Sequence, residues 1–129
     1  MILTGAFLAT HVFVENEKLN VQGGVLDWWE LDPGQESITL FAVALLQAAP
    51  DDAGTVQKVR LTVYGPSGQH LGEGAVPVDL TVAHLGTNRF TWIQPTFPVT
   101  EGPGRYLFHF AIDGQESSLH SLSLDIRCP

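Results

Sequence analysis

The chain has 129 residues, 44% of them hydrophobic, with a formal net charge of −8 carried against only six Lys and Arg. That length holds one domain around one core, and that apolar content excludes a disordered segment. The acidic balance argues against DNA, RNA and anionic membranes as partners, because binding phosphates needs cations that displace counterions.

The opening segment, Met1–Thr10, has no positive flank, and Thr4, Thr10 and His11 interrupt its apolar run. It therefore reads as a strand rather than a signal peptide. No run approaches the ~18 apolar residues that cross a bilayer. Cys128 is the single cysteine, so a disulfide scaffold is excluded and a cytoplasmic location is expected. Residues 4–14 set Ala6, Leu8, Thr10, Val12 and Val14 against Phe7, Ala9, His11 and Phe13. Both sets are mostly apolar, which predicts a strand covered on both faces. Glu15–Lys18 is the turn, and residues 19–29 return as a second strand. Inside it, Gly23-Gly24 marks a bulge or a close backbone approach.

After the turn at Asp32–Gln35, residues 37–47 form the most apolar segment, and their β-branched and aromatic content predicts a strand. A polar loop follows over residues 48–56. Residues 57–64 alternate, with Val59, Leu61 and Val63 inward. Gly65–Gly68 makes a hairpin turn into a weaker strand at 69–80, where Pro77 donates no ladder hydrogen bond and predicts a sheet edge. A loop near His84, Leu85 and Gly86 leads to a strand at 88–97. Pro103-Gly104 then opens a clean alternation, with Tyr106, Phe108, Phe110 and Ile112 on one face. Asp113-Gly114 offers the left-handed backbone of a tight hairpin. Residues 117–127 close the fold, with Leu122, Leu124 and Ile126 on one face. Thirteen Gly and eight Pro fit short strands joined by turns. Nowhere does an apolar stripe of helical period persist over three turns. The expected fold is all-β, an antiparallel β-sandwich of roughly seven to nine strands, immunoglobulin-like in the loose sense, spanning residues 1–129 as a single domain.

Few side chains group in a way that carries chemistry. The five histidines, at 11, 70, 84, 109 and 120, are single rim residues rather than a metal set. An odd-length closing loop puts His109 and His120 on opposite faces, and a two-residue loop puts them on one face. Ser117, Ser118, His120 and Asp125 are neighbours in sequence, but no nucleophile elbow and no phosphate-binding loop accompanies them. The expectation is a protein that is not an enzyme and needs no cofactor.

Three stretches resemble a family of short uncharacterised bacterial proteins. They are Ala6 to His11 (AFLATH) with Glu17 to Gly24 (EKLNVQGG) and Asp27-Trp28, then Lys58 to Gly68 (KVRLTVYGPSG), then Gly102 to Gly114 (GPGRYLFHFAIDG). The family pattern runs A-x-L-A-D-x-A, G-K-L-x-V-x-G-G-x-W-D and P-G-x-Y-x-F-x-V-x-V-D-G. Here Thr10 stands where the family has Asp, and Trp28 follows Asp27 instead of preceding it. The family is one of unknown function, so the resemblance implies no activity and no site residue.

The expected function is a non-enzymatic interaction or structural module that pairs with a protein partner or with a second copy of itself, and with neither nucleic acid nor membrane. Its motive is that strands 4–14 and 37–47 are apolar on both faces, while one sandwich buries only one face of each sheet. Phe7, Phe13, Phe41, Val43 and Leu45, with Trp29 at the rim, are the candidate homodimer interface. The alternative is a ligand-binding sandwich, taking carbohydrate on Trp29 or Trp92, or calcium on Asp27, Glu30 and Asp32.

Overall fold

Alternation decides the inner face. Tyr106, Phe108, Phe110 and Ile112 are fully buried, as are Val59, Leu61 and Val63 on the neighbouring strand. The structure is a computed structural model that describes residues 1–81, 87–115 and 119–129. Its strands are β1 (Ile2–Ala9), β2 (His11–Glu15), β3 (Lys18–Gln22), β4 (Trp28–Glu30), β5 (Ser37–Thr39), β6 (Phe41–Gln47), β7 (Val56–Tyr64), β8 (His70–Asp79), β9 (Asn88–Ile93), β10 (Thr96–Pro98), β11 (Gly104–Ile112) and β12 (His120–Arg127), with one 3-10 turn at Pro50–Asp52. The fold is all-β, as expected.

Five strands form one sheet in the order β4-β12-β11-β7-β8, and β8 is its edge, as Pro77 predicted. The expected antiparallel arrangement needs one correction. Strand β4 runs parallel to β12, with Trp29 opposite Ile126. A second sheet has the order β1-β6-β9, and β5 pairs with β10 as its extension. Leu40 N donates to Pro95 O at 3.3 Å across the junction. Pro95 has no N–H to return, so the ladder breaks there into shorter strands. Another break falls at Thr10, whose Oγ1 donates to Gln22 O at 2.9 Å while the chain bends from β1 into β2. These breaks are why more strands are present than the alternation alone suggested.

Leu8, Ala42, Ala44 and Leu46 from the three-stranded sheet meet Val59, Leu61, Tyr106, Phe108, Phe110, Leu124 and Ile126 from the five-stranded sheet in one core. Phe97 closes one end against Phe108, ring edge to ring face at 5.4 Å. The buried Tyr106 hydroxyl donates to Gly102 O at 2.7 Å, which satisfies a polar group that would otherwise be stranded. The Asp113-Gly114 turn forms, with Gln115 N donating to Ile112 O at 2.8 Å. Among the described residues the ladder of the last hairpin ends at Phe110 opposite His120.

Gly23-Gly24 ends β3 rather than sitting inside a strand, and the close approach is the reading found. Gly23 has φ +63°, and a Cβ there would lie 2.0 Å from Thr10 Oγ1. Beyond the pair, Leu26 N donates to Leu8 O at 2.7 Å, and the chain crosses to the five-stranded sheet as β4.

Candidate functional site

The outer face of the three-stranded sheet is apolar, as the sequence indicates. Register sets Phe7, Val43 and Trp92 in one row, Ala9 and Phe41 in the next, and Gly5, Leu45 and Phe90 on the other side. The β2–β3 hairpin lies across this face. Its Val12 and Leu19 pack onto Ala9, Phe7, Phe41, Val43 and Trp92 as a second hydrophobic cluster. His11 sets its ring edge-on to Phe41 at 5.5 Å. The hairpin forms here because Asn16 and Glu17 take left-handed backbone, with φ 53° and 63°.

The hairpin covers only part of the face. At its tip a cleft of about 410 Å³ opens between Val14 and Glu17, Pro77 to Asp79 of β8 and Asn88 to Thr91 of β9. Strands β8 and β9 are the outer strands of two different sheets, so the cleft sits on the seam where the sheets face each other without a shared ladder. Val14, Pro77, Val78 and Phe90 supply apolar lining, and Glu17, Asp79, Asn88, Arg89 and Thr91 supply polar groups. Phe90 stacks parallel to Trp92, ring centroids 6.3 Å apart, which fixes its orientation at the cleft.

Asp79 is held in its ionised form. The Thr81 hydroxyl and the Thr81 backbone N–H both donate to its Oδ1, the latter at 2.9 Å. With the nearby Arg89 charge, these bonds outweigh the desolvation of the carboxylate and keep the carboxyl below its ordinary range. Arg89 Nη1 donates to Asp79 O at 3.4 Å. A second groove of about 280 Å³ lies on the same seam, where Gly72 and Gly74 face Ile93 to Phe97.

Of the six candidate interface residues, the structure brings Phe7, Phe41 and Val43 together, under the protein's own hairpin. Val43 is 0% exposed, so no partner reaches it. Leu45 and Phe13 are at the surface, 36% and 37% exposed, Phe13 on the hairpin. Trp29 belongs to the other sheet and packs against the main core. Its neighbour Trp28 is the exposed one, with the Arg127 guanidinium 5.0 Å above its ring. Trp29 and Trp92 thus lie on different sheets, one against the main core and the other beneath the hairpin. Asp27, Glu30 and Asp32 are not gathered either, and among the described residues no three His, Cys, Asp or Glu are placed to hold a metal. His109 pairs with Ser121 while His120 pairs with Phe110, so the two histidines lie on opposite faces. Asp125 accepts from Arg105 Nε at 3.0 Å. His84, Leu85 and Gly86, and Ser117 and Ser118, lie outside the described residues. Among the described residues no helix is long and apolar enough to cross a membrane.

Sequence reasoning missed Val14, Asp79, Arg89 and Phe90 as neighbours. The alternation of β9 shows Phe90 and Trp92 on one face. Nothing in the sequence shows that the ends of β8 and the hairpin meet them there.

No protein-family model and no curated protein matches the chain. Among solved structures, the chain is similar to the Pseudomonas fluorescens alkylpurine DNA glycosylase AlkC bound to DNA containing an abasic site analogue. The TM-score is 0.44 at 16% identity, over 95% of this chain and 30% of that one. The chain thus spans less than a third of that protein. One expectation is corrected: an interaction or structural module that excludes nucleic acid is withdrawn beside a likeness to a DNA-bound protein. The premise of self-association narrows, because the hairpin covers Phe7, Phe41 and Val43 and leaves Leu45 at the surface. The likeness assigns neither DNA binding nor glycosylase chemistry to this chain.

Proposed function

We propose that the protein binds a small organic ligand in the cleft between the hairpin tip and the β8–β9 seam. One observation carries this reading. Three elements distant in sequence converge on a single space of about 410 Å³ with apolar walls and a few polar groups, which is the size and chemistry of small-ligand sites. The test is a fragment screen by ligand-observed NMR on the wild type and on Val14→Trp, which fills the cleft from the exposed hairpin. Hits that bind the wild type and are lost in Val14→Trp support the reading. A screen without hits, or hits indifferent to the variant, sinks it.

The finer architecture is likewise inferred to be an immunoglobulin-like sandwich. Two features support it: the Tyr106 hydroxyl bonded to a backbone carbonyl four residues upstream, as in a tyrosine corner, and one core shared by the two main sheets. Membership in the family of short bacterial proteins is likewise inferred, from the three motif stretches.

A further inference from the structure

The charges at the cleft do not balance. Glu17 at the hairpin tip and Asp79 at the end of β8 line it from two walls, against the single cation Arg89 among its described lining residues. Arg89 is turned to the Asp79 backbone carbonyl. Phe90 lines the same space. Carboxylates beside an aromatic ring are the surroundings that hold an ammonium group. The net charge of −8 raises the local concentration of cations and repels carboxylate or phosphate ligands. The seam also holds the second groove. Beyond the cleft, Gly72 and Gly74 contribute no side chain, so the core residues Leu61 and Val63 reach the second groove. Both grooves lie along the same two antiparallel edges, and Gly72 to Asp79 spans roughly 23 Å of strand.

Resting on the cleft reading above, we infer that the ligand is an amphipathic amine, with its ammonium between Glu17 and Asp79 and its apolar chain directed along the β8–β9 seam. The inference is tested by titrating isotope-labelled protein with n-octylammonium, n-octanol and n-octanoate, which share a chain and differ in head group, read by two-dimensional amide NMR. Octylammonium shifts the amides of Val14, Glu17 and Phe90 and binds roughly tenfold more tightly than octanol, the size of one charge-assisted contact. Octanoate binds least. Glu17→Gln and, independently, Asp79→Asn remove most of the amine's advantage over octanol. Octanol or octanoate binding at the cleft as tightly as the amine overturns the amine assignment and leaves the cleft reading standing. Silence at the cleft amides with all three probes overturns the amine assignment, and the fragment screen then decides separately whether the cleft binds anything.

Discussion

At Gly23 two constraints meet in one residue. Its φ of +63° is left-handed, and a Cβ would fall 2.0 Å from Thr10 Oγ1. Gly23→Ala is expected to cost roughly 2–3 kcal/mol in urea unfolding. Adding Thr10→Ala removes the 2.0 Å contact but leaves the Cβ of residue 10 at 2.9 Å and the backbone strain, so the double variant recovers part of the loss and not all of it. Full recovery would mean that the backbone conformation is not strained for alanine. Tyr106 makes a different prediction. Its buried hydroxyl is bonded to Gly102 O, so Tyr106→Phe is expected to cost about 1–2 kcal/mol. Burial, aided by the Glu101 charge, raises the Tyr106 pKa above 10.0. The folded state therefore favours the neutral phenol. The stability this contributes is complete below about pH 10, the unfolded value, and is lost as pH rises through the higher folded value. The alkaline fall in stability is expected to be shallower in Tyr106→Phe, measured as unfolding free energy from pH 9 to pH 12 against the wild type.

The element that shapes the site is the β2–β3 hairpin. Among the described residues its strands pair with each other and with no other strand, so side chains hold it to the sheet. Val12, 4% exposed, is the buried anchor. Val12→Ala leaves the ladder of β1, β6 and β9 intact while weakening the hairpin's seat. Amide hydrogen exchange in β2 and β3 is expected to rise by at least tenfold, while exchange in β6 and β11 changes little. A uniform rise across all strands would show that the hairpin unfolds only with the whole domain. The same element explains why the site was not legible beforehand. The sequence shows a strand apolar on both faces, which is correct. It does not show that Thr10 and Gly23 fold the next two strands back over the outer face, because that depends on a contact between residues far apart in sequence.

For the whole molecule, charge sets the response to conditions. A net charge of −8 repels itself in the compact state, and salt screens that repulsion. Raising ionic strength from roughly 0.01 M to 0.15 M at neutral pH is expected to raise the melting temperature, and a fall would show that specific ion pairs outweigh the net repulsion. Acid acts through particular carboxylates. Asp79 is held low chiefly by Thr81, and Asp125 chiefly by Arg105. Their stabilisation is present above about pH 4, the unfolded value, and is lost as pH falls through their lower folded values. The sequence by itself determined the all-β class, the inward faces of β7, β11 and β12, the edge position of β8 and the turns, because period-two alternation and the Gly, Pro and Asp-Gly signals are local. Only the tertiary structure decided that β4 joins β12 in parallel, that the hairpin covers the outer sheet face, and that Val14, Asp79 and Phe90 share a cleft. The physical reason is that strand order and the packing of one face on another are fixed by contacts between distant residues, and a one-dimensional pattern of apolar and polar positions fits many such arrangements equally well.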